Sequence, residues 1–186
     1  ACKHPHLSGA EVEQNSTHEM TKFAIDMARL REMIKKGDVV NMDHLTEIGK
    51  HHLLKRDGDE VIIFRLKSSV RRLASTNFIF ADGTFKCVLP EFKQLYIFHC
   101  VVGNNVSIPM LFCLMKGKNR DAYKKLLMMV EDIAAENQVV ILNRRVTLMC
   151  DFEFAFIGAV HELFGTVEVK YCFFHFTKSI GTKGQP

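Results

Sequence analysis

The sequence predicts an α/β fold: a mixed sheet in which an antiparallel three-strand meander is followed by a parallel βαβαβ part. Helices cover the faces of this sheet, and a small helical module precedes it. Three observations predict it. The hydrophobic period changes from helical to strand-like at Glu60. The strands of the meander are joined by short, turn-forming links. The later strands are separated by apolar-striped stretches long enough to be crossover helices.

Residues 1–15 are polar, carry Cys2, His4 and His6, and are expected to form a disordered tail. From Ser16 the pattern is helical. Ser16 and Glu19 have capping-box spacing, and Met20, Phe23, Ala24, Met27, Leu30 and Ile34 line one helix face, with Gly37 as the stop. A shorter helical stretch is expected from about Met42 to Leu54, before Arg56-Asp57-Gly58, so residues 16–56 read as the helical module.

The core is expected over residues 60–180, with 181–186 as a second tail. VIIFRL, FIFADGTF, QLYIFHCVV, SIPMLFCLM and VTLMCDF are short runs rich in β-branched and aromatic residues. Leu89-Pro90-Glu91 and Gly103-Asn104-Asn105 link the three meander strands, which start at Phe78. Asn119 then caps a helix with Tyr123, Leu126, Leu127, Val130, Ile133 and Ala134 on its apolar side. After Asp151 a second helix buries Phe156, Ile157, Val160, Leu163 and Phe164, and VEVKYCFFHF is the last strand. From Phe78 the order is strand, strand, strand, helix, strand, helix, strand.

Composition bounds the function. Of 186 residues, 47% are hydrophobic and 25% charged, as in a globular chain. No apolar run reaches the roughly 18 to 20 residues of a membrane helix, so no membrane partner is expected. The polar N-terminus has no secretory pattern and no initiating Met, so the chain reads as a fragment. Cys87, Cys100, Cys113 and Cys150 sit inside apolar runs, as reduced thiols do. A net charge of +4 permits a nucleic-acid partner.

Two apolar strands end in a carboxylate. Asp82 closes FIFAD, and Asp151 closes VTLMCD 69 positions later (151 − 82). On neighbouring parallel strands both would emerge at one end of the sheet. Carboxylates held close repel unless a cation lies between them, and such oxygen ligands suit Mg²⁺ or Mn²⁺. Each also has a structural reading. Asp82-Gly83 is a two-residue hairpin signal, and Asp151 could cap the following helix.

The residues from FADGTFKCVLPEFKQLYIF to the helix opening NRDAYKKLL, with LMCDFEFAFIGAVHELF and YCFFHF, resemble the Mutator-like (MULE) transposase family over roughly residues 61–180. The matching elements are Asp82-Gly83-Thr84-Phe85, Gln94-Leu95, Pro109, Lys116 with Tyr123, Asp151-Phe152-Glu153, and Cys172 with His175. The resemblance implies an RNase H-like fold and a three-carboxylate, two-metal site. Asp82 and Asp151 match the first two carboxylates, and the third is a Glu expected beyond Pro186. Cys2, His4 and His6 are similar to the close of a FLYWCH-type zinc finger, which would hold zinc only if complete.

The implied function is metal-dependent phosphodiester cleavage and strand transfer at transposon ends, inactive in this chain without the third carboxylate. DNA is the implied partner, with a homo-oligomer admitted and the nucleus as location. Candidate phosphate contacts are Lys116, Lys118, Arg120, Arg144 and Arg145. The alternative is a domesticated DNA-binding or protein-interaction protein that kept the fold and lost catalysis.

Overall fold

A computed structural model of the chain describes residues 53–58, 60–65, 67–84, 91–102 and 106–172, with positions 29, 32 and 36. Arg29, Glu32 and Lys36 are helical and exposed, at the spacing of one helix face. The apolar stripe expected beside them lies outside the described residues. So do Cys2, His4, His6, Cys87 and His175.

Among the described residues, seven strands form one sheet. In chain order the elements are β1 (Leu53–Asp57), β2 (Val61–Arg65), α1 (Lys67–Ser75), β3 (Phe78–Thr84), β4 (Gln94–Val102), β5 (Val106–Met115), α2 (Arg120–Glu136), β6 (Val146–Cys150), α3 (Phe154–Leu163) and β7 (Val167–Tyr171). Across the sheet the order is β1-β2-β5-β4-β3-β6-β7. β3, β4 and β5 pair antiparallel, while β6 lies parallel to β3 and β7 parallel to β6. The expected meander and parallel part are therefore both present.

Two elements differ from the sequence reading. Residues 53–57 belong to a strand, not to the end of a helical stretch. Asp57-Gly58 makes the turn into β2: Gly58 takes φ +53°, and the Glu60 N–H donates to the Asp57 carbonyl at 3.2 Å. The second element is α1, absent from the sequence-based order. Its nine residues are mostly polar, and among the described side chains Ser69, Val70 and Leu73 are buried. Its apolar positions Val70, Leu73 and Ala74 have helical spacing, but nine residues hold only one such set, short of the window of about 11 to 18 residues in which a helical period is read.

α2 follows the sequence closely. The Asn119 side chain accepts from the Ala122 N–H at 2.9 Å, and all six stripe residues are buried. The helices cover one face, where Tyr96, Tyr123 and Phe156 meet with ring centroids 4.9 to 5.4 Å apart. On the opposite face Ile62, Phe64, Leu95, Ile97, Phe112 and Leu114 are also buried. Pro109, inside β5, falls where the β4–β5 register shifts and beyond the reach of β2, which pairs only to Leu111.

An ion-pair clamp fastens the β1–β2 hairpin to α2. Glu136 accepts from Lys55 at 2.9 Å and from the buried Arg65 at 2.7 Å. These cations, Lys55 foremost, hold the Glu136 carboxyl below the usual range. A depressed carboxylate stabilises the fold above its unfolded pKa, and that contribution disappears as pH falls through the folded value. Glu136→Gln is thus expected to cost on the order of 1 kcal/mol at pH 7, since Glu136 is half in solvent. The difference from the native chain should vanish in acid, as urea unfolding across pH 3 to 7 would show.

Candidate active site

β3 and β6 run side by side in register. Phe78 pairs with Thr147, Phe80 with Met149 and Ala81 with Cys150. The next residue on each strand is an aspartate, so Asp82 and Asp151 come level at the same end of the sheet. The ladder continues on the far side, where the Cys172 N–H donates to the Cys150 carbonyl at 2.8 Å.

The structural readings of the two aspartates do not hold. β3 runs straight through Asp82 and Gly83, which pair with Ile97 and Tyr96 of β4, so no hairpin turns there. The cap of α3 is Glu153, not Asp151. The glycine is needed for close approach instead. A Cβ at Gly83 would come within 3.2 Å of the Tyr96 ring and 3.3 Å of Gln94 Oε1.

Alternation places Phe78, Phe80 and Asp82 on one face with Thr147, Met149 and Asp151. This face is open at β3, β6 and β7, where Phe78 is 42% exposed. Asp82, Asp151, Phe80, His99, Met149 and Cys172 line a common cleft there of about 270 Å³. His99 was not singled out from the sequence. It lies opposite Phe80, and the signal was a lone imidazole in the otherwise apolar run QLYIFHCVV. Burial lowers its pKa against the pull of Asp82, leaving a neutral ring.

Behind the sheet, the Tyr123 hydroxyl donates to Gln94 Oε1 at 3.0 Å, and Gln94 Nε2 donates to the Gly117 carbonyl at 3.1 Å. Burial raises the pKa of Glu153; the Tyr123 hydroxyl works against that shift, and the charge of Asp151 adds to it. Burial also drives the Cys150 thiol up to about 12, so it stays protonated.

The five basic candidates divide. β5 is antiparallel to β4, which brings Met115 beside Gln94 and so to the end where β3 finishes. Lys116, Lys118 and Arg120 follow Met115 and lie at the aspartate end. Lys116 sits 5.9 Å from the Phe92 ring centroid, and Arg120 lies over Gly158 of α3. Arg144 and Arg145 precede β6 and lie at the opposite end. Arg144 is also engaged, donating to the carbonyls of Leu73 and Thr76. A side chain spent on tying α1 to β3 is poorly placed to hold phosphate.

Exposed aromatics flank Asp151. Phe152 and Tyr171 stack at 4.9 Å with their planes 9° apart, and Phe154 is 80% exposed. Among the described residues, no three His, Cys, Asp or Glu side chains group as a metal site would require.

The fold and cleft define an α/β domain with paired carboxylates at one end of its sheet. The chain matches the family model of the MULE transposase domain over residues 78–179, from the first residue of β3 to beyond β7. More than half of the chain is covered, and it belongs to this transposase family, whose members move mobile elements of DNA. No curated protein and no solved structure matches it. No helix among the described residues is long and apolar enough to cross a membrane.

The packing at Gly83 gives a direct expectation. A larger side chain there must displace a buried ring, and overpacking of this kind costs about 1–3 kcal/mol. Gly83→Val should lower the thermal midpoint markedly, whereas Gly165→Ala, whose Cβ would meet nothing within 4 Å, should leave it nearly unchanged in the same melting experiment.

Proposed function

We propose that this chain carries the core of a transposase that cuts and rejoins DNA at transposon ends, with Asp82 and Asp151 as ligands of a divalent cation. The observation that carries this reading is their level placement on adjacent parallel strands in one cleft. The mixed sheet, a meander followed by parallel strands, supports the RNase H-like fold that the resemblance implied.

The donor set fits the proposed ion. Two carboxylates suit Mg²⁺ or Mn²⁺, hard cations that keep several waters and need few protein ligands. Such an ion, when bound, would act as a Lewis acid on a phosphodiester. The protein's own part is orientation. Asp82 is held by its pairing with Ile97 of β4, one residue past the β3–β6 ladder, and Asp151 sits between the ends of β3 and β7. Lys116, Lys118 and Arg120 supply positive charge at the same end for a DNA backbone. His99 contributes a neutral imidazole beside the pair. With DNA as the proposed partner, the proposed location is the nucleus.

Among the described residues two carboxylates, Asp82 and Asp151, line the cleft, which favours a second reading. On this reading the domain retains its fold and binds DNA without cutting it. Two aspartates can anchor one ion, but a two-metal displacement needs a further ligand to place the second.

Calorimetric titration should show weak Mn²⁺ binding to the 186-residue chain, lost in Asp82→Asn and in Asp151→Asn. Equal affinity in all three proteins would remove the aspartates from the site. A nicking assay on supercoiled plasmid, in Mg²⁺ and in Mn²⁺, separates the two readings. No cleavage by this chain is expected. Robust nicking that disappears in Asp82→Asn would show that the pair is sufficient.

A further inference from the structure

We propose that Gln94 and Tyr123 are positioning residues for the aspartate pair: a buried hydrogen bond between them, continued by the packing of the Tyr123 ring on Phe156, ties the Asp82 strand end to the Asp151 strand end behind the sheet. The inference deepens the proposed function and rests on Asp82 and Asp151 being its ligands.

Start with Asp82. The residue after it, Gly83, packs against Gln94 Oε1 and the Tyr96 ring. Gln94 is fully buried, and a buried amide must find partners for both its ends. Its Nε2 donates to the Gly117 carbonyl, and its Oε1 accepts from Tyr123. The amide is therefore held at both ends, and its oxygen is fixed against the backbone of β3.

Now Asp151. Two residues on, Glu153 caps α3, which begins at Phe154. Tyr123 itself is wholly buried, and its ring packs on Phe156 in the first turn of α3. One side chain of α2 thus touches Gln94, which braces the Asp82 strand, and the segment that follows Asp151. Gly117 completes the link. A Cβ there would come within 2.8 Å of the Ala122 Cβ, so the turn ahead of α2 is closed tightly on the helix.

β3 and β6 share a backbone ladder only through Ala81 and Cys150. Beyond those residues the two aspartates need another constraint on their separation. The Gln94–Tyr123 pair is located to supply it, and it uses groups that never reach the cleft. Ligand orientation by such outer partners commonly changes metal affinity by about 10- to 100-fold.

The test uses the full 186-residue chain and two measurements. The first needs no metal: backbone amide resonances of Tyr123→Phe and Gln94→Leu are compared with the native protein. Shifts are expected at Asp82, Gly83, Asp151 and Glu153. If Tyr123→Phe, which removes only a hydroxyl and leaves the ring, moves none of these, the proposal is overturned. The second measurement is Mn²⁺ affinity, expected to fall about tenfold in Tyr123→Phe. Ile133→Val, a buried change elsewhere on α2, is the control for simple destabilisation and should leave affinity unchanged. Asp82→Asn monitors the underlying reading. If Asp82→Asn abolishes Mn²⁺ binding while Tyr123→Phe retains native affinity, the ligand assignment stands and the positioning role fails. If Asp82→Asn binds as the native chain does, the ligand assignment fails, and with it the positioning proposal in its present form.

Discussion

The parallel pairing of β3 with β6 is the constraint on which the rest of this structure depends. Parallel neighbours cannot be joined by a tight turn, so the chain must leave β3, cross the sheet and return. Here it does so through β4, β5 and α2 before β6 begins. The register of that single pairing then decides the faces. With Ala81 level with Cys150, the aspartates that follow both turn away from the helical layer. A slip of one residue would turn one of them into the core, where an unpaired carboxylate is costly.

The helical face and the open face have different tasks. Tyr96, Tyr123 and Phe156 make a rigid aromatic wedge among β4, α2 and α3. Gly83 is the place where this wedge meets the strand that carries Asp82. The Asp-Gly dipeptide therefore has two separate reasons to exist. The aspartate faces the cleft, and the missing side chain admits a ring on the other side. Alternation along a strand allows neighbouring residues to answer to opposite surfaces in this way.

Much of this was legible in the sequence because it rests on periodic signals. The stripe of α2 and the cap at Asn119 have strong local causes, and the antiparallel pairing of β3, β4 and β5 agrees with the expected meander. What failed had weak local causes. β1 is five residues long and is held largely by pairing with β2 and by the Glu136 clamp, neither of which is visible locally. α1 is nine residues long and mostly polar, with a single i, i+3, i+4 apolar set, Val70, Leu73 and Ala74. Arg144 resembled any basic loop residue until its backbone partners were known. His99 looked like a core position because its strand is apolar on both sides. The two aspartates were legible as a pair only through topology. Each alone matched a common local motif equally well.

The long excursion between β3 and β6 also orders events in time. The meander closes over short links, while the β3–β6 ladder must close a loop of nearly seventy residues. By chain-length scaling that closure costs roughly 3 kcal/mol more than a short turn. Pairings of such long sequence separation slow folding relative to local contacts. During synthesis Asp82 emerges on a meander that can already pair, while Asp151 is still to be made. The two carboxylates come level only where β6 has paired with β3, so the cleft depends on the most distant pairing the chain makes across these strands.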